Sequence, residues 1–112
     1  MLPSKEIQEL PEQLPVPWYW TDTDLVEQLL IEIPKRHVLF NKQCITIGRR
    51  QDNDDVLFQI NDDAFQYAVV HLTWSRNRSS DLNYPRTKLY RNWKEVYEQR
   101  ILADNRFFES LG

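Results

Sequence analysis

The sequence has little cysteine, little glycine and no long hydrophobic run, and each shortage excludes a class of protein. Cys44 is the only cysteine among 112 residues, so no intrachain disulfide can form, and secreted domains of this size usually carry several. With only Gly48 and Gly112, the chain has no glycine-rich loop to cradle a phosphate. The apolar runs are far shorter than the roughly 20 residues that span a bilayer.

Two further absences concern the N-terminus and the charge. The first residues lack the basic start and apolar stretch of a secretory signal peptide. The net charge of −3 disfavours a dedicated duplex-DNA or membrane binder, which would need a cationic excess. These observations predict a cytoplasmic protein without a cofactor or a structural metal.

The composition is that of one small domain. Hydrophobic residues make up 41% of the chain and aromatic residues 12%, which is enough to build a core. Prolines concentrate in the first twenty residues and disfavour long regular structure there, apart from a short helical turn near Ser4–Leu10. We therefore expect a proline-rich arm over 1–20, an α+β domain over 21–103 and a C-terminal tail over 104–112.

Two segments have the periodicity of amphipathic helices. Thr21 is a candidate cap for a helix over 22–33, where apolar residues recur on one face and Glu32 falls on the wet face. Pro34 ends this helix. Asn92 is a candidate cap for a second helix over 93–102.

Between these helices the apolar period changes to two, which is typical of strands. Strands are predicted over 43–49, 55–60 and 66–74, with further short strands at 37–40 and 87–90. The short acidic turns between successive strands require antiparallel pairing. The predicted fold is α+β, an antiparallel three- to five-stranded meander covered by two amphipathic helices. In the third strand, the residues predicted to share the covered face are Ala68, Val70, Leu72 and Trp74.

Few residues have the pattern of a catalytic or metal site. Cys44 lies in a predicted strand without the flanking signature of a nucleophile, so a partly buried structural thiol is favoured over catalysis with His37 or His71. The same residues are too few for a convincing metal site. The acidic run at Asp52, Asp54 and Asp55 lacks the glycine and distal glutamate of a calcium loop and indicates a turn.

The most distinctive segment is a basic and aromatic stretch over 74–94. It has a local excess of positive charge with four aromatic residues interleaved. Three interpretations stay open: a solvated loop whose aromatics enter the core, a protein-binding surface, or a site for single-stranded nucleic acid. For a binding surface the predicted contacts come from the 76–91 loop. The residues assigned to it are Arg76, Arg78, Tyr84 and Arg86.

Several segments together resemble small bacterial proteins that carry no assigned function. The shared pattern lies in Asp54–Ile60, Val69–Trp74, Pro85–Tyr90 and Asn92–Ile101, over about the C-terminal two-thirds of the chain. Small acidic α+β proteins of this sort include immunity proteins that block toxins, and this analogy of class implies binding rather than catalysis. The resemblance implies no catalytic residue.

These observations favour a non-enzymatic protein, immunity-like or adaptor-like, whose partner is another protein. The alternative is single-stranded nucleic-acid binding through the stretch over 74–94. The third hypothesis is a small hydrolase that uses His71. The sequence predicts neither the identity of the partner nor the oligomeric state.

Overall fold

A computed structural model describes residues 10–111, in which an antiparallel sheet is combined with helices. The strands are β1 (Trp18–Trp20), β2 (Cys44–Arg50), β3 (Asp55–Ile60), β4 (Tyr67–His71) and β5 (Thr87–Tyr90). Helix α1 (Val26–Glu32) lies between β1 and β2 in the chain. The C-terminal helix consists of α2 (Trp93–Val96), a π-helical turn (Tyr97–Ile101) and α3 (Leu102–Ser110) in direct succession.

The five strands lie in the sheet in their order along the chain, and every neighbouring pair is antiparallel. The α+β class and the antiparallel pairing of the three predicted central strands are confirmed. The two edges of the sheet are β1 and β5. A register shift between Thr46 and Gly48 interrupts the pairing of β2 with β3. A β-bulge of this kind bends a strand and increases its twist.

Two clusters of buried residues lie on opposite faces of the sheet. On one face, Leu29 of α1 packs in a cluster with Phe58 and Val70. On the other face, Val96 and Ile101 of the C-terminal helix pack in a cluster with Leu57. Because side chains alternate along a strand, one strand supplies both clusters, and β3 is almost continuously apolar for that reason.

Several predicted boundaries are wrong. Helix α1 begins at Val26, four residues after the predicted start, because Thr21 and Asp24 cap short turns ahead of it. Residues 104–110 are helical and are not a tail. Residues 37–40 form turns and not a strand. The strand at one edge of the sheet, β1, lies within the predicted arm. The helical turn proposed near Ser4–Leu10 lies outside the described residues except at its end.

The cap of the second helix is confirmed. The side chain of Asn92 accepts a hydrogen bond from the backbone N–H of Glu95 at 2.9 Å. The Glu95 carboxylate reaches back to the backbone N–H of Arg91 at 2.7 Å, one residue before the cap. The two side chains together satisfy donors that a helix start leaves unpaired.

The predicted position of Trp74 is wrong. Strand β4 ends at His71, and the Trp74 side chain is 44% exposed, away from the covered face. The backbone N–H groups of Thr73 and Trp74 both donate to the carboxylate of Glu32, at 2.9 and 2.8 Å. These two N–H groups therefore do not take part in the hydrogen bonding of the sheet. Trp74 adopts the left-handed backbone conformation, with φ 62°.

Candidate functional site: a cationic cleft beside the 76–86 loop

One cleft of about 510 Å³ opens on the face of the sheet whose buried cluster includes Val96 and Ile101 of the C-terminal helix. Strand β4 ends at His71 and β5 begins at Thr87, so the connection between them runs over 72–86. Its part over 76–86, which we call the 76–86 loop, lies beside this cleft and ends before the predicted boundary at 91. The cleft is lined by ends of β3 and β4, the start of β5 and one residue of the π-helical turn. Its ionisable lining residues are Asp55, His71, Tyr84, Arg86, Lys88 and Arg100. We call it the cationic cleft.

The floor of the cationic cleft is the buried carboxylate of Asp55, which accepts hydrogen bonds from two side chains and also lies 4.0 Å from Nη1 of Arg50. Asp55 accepts a hydrogen bond from Nδ1 of His71 at 2.7 Å through Oδ1, and from Nη2 of Arg100 at 2.6 Å through Oδ2. Burial lowers the pKa of Arg100, but the hydroxyl of Tyr90 and the carboxylates of Asp104 and Asp55 raise it more, so the net pKa lies above its usual value. Arg100 therefore stays charged and pairs with the carboxylate of Asp55.

Arg100 lies in the π-helical turn, which connects the floor to a second carboxylate. Its Nε donates to Asp104 at 3.0 Å, and Asp104 also accepts from the indole N–H of Trp18 at 2.9 Å. Arg50 reaches the same Asp104 carboxylate at 3.0 Å. Turns of this helical type are frequent at functional sites, and here the turn contributes the cation that pairs with Asp55.

The wall of the cleft on the loop side is an arginine–tyrosine pair. The Arg86 guanidinium lies 5.4 Å from the centre of the Tyr84 ring, and its Nη2 donates to the Tyr84 hydroxyl at 3.1 Å. This hydrogen bond raises the pKa of Arg86. Within residues 10–111, neither Arg86 nor Lys88 forms an ion pair with a carboxylate.

The segment that leads into the loop is held by the buried carboxylate of Glu32, which was wrongly predicted to face water. Glu32 is 1% exposed. It accepts hydrogen bonds from the Thr73 backbone and hydroxyl, from the Trp74 backbone and from Gln28 at 2.6 Å. Its backbone carbonyl accepts from the N–H of Ser79 at 2.9 Å. Every close donor is neutral, so the carboxylate is stabilised by hydrogen bonds and not by an opposite charge.

The other end of the loop is held by the buried His37. Its Nδ1 accepts from the backbone N–H of Leu39 at 3.1 Å, so the proton of the neutral ring lies on Nε2. Nε2 donates to the carbonyl of Pro85 at 3.0 Å and lies 3.1 Å from the Thr87 hydroxyl. His37 therefore stabilises the entry into β5.

The structure brings together only two of the four predicted binding residues. Tyr84 and Arg86 line the cationic cleft. Arg78 lines a separate hollow of about 250 Å³ above Glu32, to which Tyr84 also contributes. Arg76 is exposed and lines neither hollow. The predicted surface is therefore split into two parts that meet at Tyr84.

The aromatic residues of the stretch over 74–94 are separated by the fold. Tyr90 is buried, and Trp93 stacks on Trp20 at 5.8 Å between ring centres. Trp74 lies beside the guanidinium of Arg49, 5.9 Å from its ring centre, and its indole N–H donates to Asp54. Trp74 and Tyr84 are the exposed aromatic side chains of this stretch, and they do not share a hollow.

The remaining candidates have structural surroundings. Cys44 is half-buried, and burial raises the pKa of its thiol, the opposite of activation. In the acidic run, Asp52 pairs with Arg50 at 2.7 Å, and only Asp55 belongs to the cleft. Among the described residues, no group of three or more His, Cys, Asp or Glu side chains is placed to hold a metal ion. The helices of residues 10–111 are too short and too polar to cross a membrane.

Sequence reasoning did not assign Asp55, Lys88, Arg100 or Glu32 to a site. A signal for the first existed, because a hairpin centred on Asp63 places Asp55 opposite His71. No local pattern identifies Arg100, whose role depends on how the C-terminal helix crosses the sheet.

Comparisons with protein-family models, with curated proteins and with solved structures find no match for this chain.

Proposed function

We propose that this protein acts by binding another protein through a surface made of the 76–86 loop and the cationic cleft. The observation that carries the proposal is a set of exposed arginine and tyrosine side chains on a backbone held by buried polar residues. Arginine and tyrosine are common among binding hot spots, because they combine contact area with directed hydrogen bonds.

The buried anchors matter because ordering a loop costs free energy on binding. Glu32 fixes the backbone at residues 73, 74 and 79, and His37 fixes it at Pro85. The loop is therefore largely ordered before it binds, so it loses less conformational entropy when a complex forms. Tyr84 and Arg86 also hold each other in place, which limits their loss of rotamer freedom.

The test is a pull-down from the native cell with a quadruple variant of the four predicted residues. Its substitutions are Arg76→Ala, Arg78→Ala, Tyr84→Ser and Arg86→Ala. A control variant removes the same number of positive charges elsewhere, at the exposed Lys35, Lys94 and Arg106. Both variants must keep the thermal transition of the parent protein. We expect the quadruple variant alone to lose the captured partners; equal recovery with both variants contradicts the proposal.

Single-stranded nucleic acid is the alternative partner for the same surface. Base stacking needs exposed aromatic faces beside cations, and the burial of Tyr90 and the packing of Trp93 leave Trp74 and Tyr84 for that role. This arrangement supports a protein partner more than a nucleic acid. Binding of a generic oligonucleotide that weakens steeply with salt would favour the alternative.

A second candidate function is hydrolysis with His71 as the general base, and the Asp55–His71 contact favours it. A carboxylate on Nδ1 leaves Nε2 as the basic nitrogen, as in other histidine bases. The hydroxyls of Thr73 and Thr87 are engaged with Glu32 and Pro85, so water is the group for His71 to activate. The test is the His71→Gln variant. It should abolish any hydrolytic turnover that the parent protein shows, without lowering the melting temperature.

A further inference from the structure

A row of polar side chains crosses the sheet and ends in the cationic cleft. Asp55 of β3 is directly opposite His71 of β4 in the register of the sheet. His71 in turn donates its backbone N–H to the carbonyl of Arg86 at 2.9 Å, next to the start of β5. Lys88 pairs with Val69, two residues along the same strands. Residues that pair directly, and those two positions away, project from one face, so His71, Arg86 and Lys88 are neighbours.

The charges of this row do not cancel. Asp55 is the one carboxylate of the cleft lining, and both of its oxygens are engaged, by His71 and Arg100. Arg86 and Lys88 have no carboxylate within salt-bridge distance in the part of the chain that the structure describes. Within that part, Nε2 of His71 also has no hydrogen-bond partner, and the side chain is half-exposed. Two positive charges and a ring nitrogen thus face an open cleft on a protein of net negative charge.

We propose that the cationic cleft binds a phosphate monoester, which is contacted by Arg86 and Lys88 and shares one proton, taken up on binding, in a hydrogen bond between a phosphate oxygen and Nε2 of His71. A monoester presents three oxygens and nearly two negative charges, which matches three contacting groups better than a planar carboxylate does. The fixed Asp55 carboxylate orients His71, and Tyr84 orients Arg86, so the contacts need little rearrangement. The cleft, at about 510 Å³, is large enough for a phosphorylated side chain or a nucleoside monophosphate.

The phosphate has two possible sources, a phosphorylated residue of a partner protein and a free small molecule. The first rests on the proposed function, whereas the second does not. Both place the same group on the same three residues, so the site can be tested before its source is known.

The experiment is a titration with inorganic phosphate and with phenyl phosphate, observed through the histidine imidazole NMR signals. The chain has only two histidines, and the buried His37 is an internal control for His71. The pH is kept at about 7.5, where these probes are mostly dianionic, and ionic strength is constant. We expect saturable shifts of the His71 signals alone, with a Kd in the millimolar range or tighter.

Two variants and one control test the contacts. Arg86→Gln and Lys88→Gln should each weaken phenyl phosphate binding about tenfold, the loss expected for one charge-assisted hydrogen bond. Arg106→Gln removes an equal charge at an exposed position outside the cleft and should bind as the parent does. The inference is overturned if no saturable His71 shift appears, or if the two cleft variants bind phenyl phosphate as tightly as Arg106→Gln.

A phosphoserine peptide and adenosine monophosphate are titrated separately to identify the source of the phosphate. The source is represented by the probe that binds more tightly than phenyl phosphate. The two proposals also fail separately. Saturable phosphate binding with no loop-dependent capture of a protein leaves the site and removes the proposed function. Loop-dependent capture without a His71 response removes the site alone. The Lys88→Gln variant separates the two proposals, because Lys88 is assigned to the phosphate site but is not among the four residues changed in the pull-down.

Discussion

Nδ1 of His71 lies 2.7 Å from Oδ1 of Asp55, yet the two side chains differ sharply in exposure, 50% for the histidine and 8% for the aspartate. The buried member also pairs with Arg100. The contact therefore joins a residue on which the fold depends to a residue that is available to a ligand. The two roles can be separated by measuring stability and binding on each variant.

The first prediction follows from this asymmetry. Asp55→Ala should lower the free energy of unfolding by about 1–3 kcal/mol, because it removes a charge-assisted hydrogen bond of the partly buried Arg100, which then keeps only its contact with Asp104. His71→Ala should cost less than about 1 kcal/mol, since its side chain is half in water. Urea denaturation of both variants provides the measurement. Equal losses would show that His71 is a structural residue.

The second prediction concerns the buried Glu32. Glu32→Gln replaces one of the two accepting oxygens by an N–H₂ group. If Oε2 is replaced, this group faces the donors of Trp74 and Gln28, and if Oε1 is replaced, it faces those of Thr73. We expect a loss of about 2–4 kcal/mol from donors left without an acceptor. Glu27→Gln, on the exposed side of the same helix, is the matched control and should change stability by less than about 0.5 kcal/mol. Similar values for both variants would contradict the role of Glu32 as an anchor.

The third prediction concerns Trp74. Its left-handed backbone, with φ 62°, suits glycine and strains any residue that has a β-carbon. Trp74→Gly should therefore be more stable than Trp74→Ala by about 1 kcal/mol. Thermal melts of the two variants decide the point. If alanine is the more stable of the two, the strand continues through this position, as the sequence alone predicts.

The fourth prediction concerns pH and the single thiol. Burial raises the pKa of Cys44, so less thiolate is present at a given pH than for an ordinary cysteine. The rate of alkylation by iodoacetamide should rise with pH and reach half its maximum above the usual range of about 8.5–9. The urea-unfolded protein is the control and should titrate in the usual range. A midpoint below about 8 in the folded protein would indicate an activated thiol.

Strands β2 to β5 and the second helix cap could be predicted because their determinants are local, whereas β1 was assigned to a proline-rich arm. The short, almost continuously apolar run of β3 and the acidic turn before β4 specify a hairpin. Asn92 caps a helix by accepting a hydrogen bond from the backbone three residues on. The helical period also indicated α1, although residues 22–25, which were predicted to be its first turn, are not helical. Such features depend only on residues that are close in the sequence, so they can be recognised without the tertiary structure.

Glu32, Trp74 and Arg100 could not be assigned in this way, because tertiary contacts decide their roles. Helical periodicity put Glu32 in water, but the chain leaving β4 brings backbone donors to it and turns Trp74 outward. Arg100 meets Asp55 only because the C-terminal helix crosses the sheet there. The cationic cleft depends on which charges find partners across the fold. Composition and spacing specify how many charges the chain carries, and three-dimensional packing alone determines which of them remain to meet a ligand.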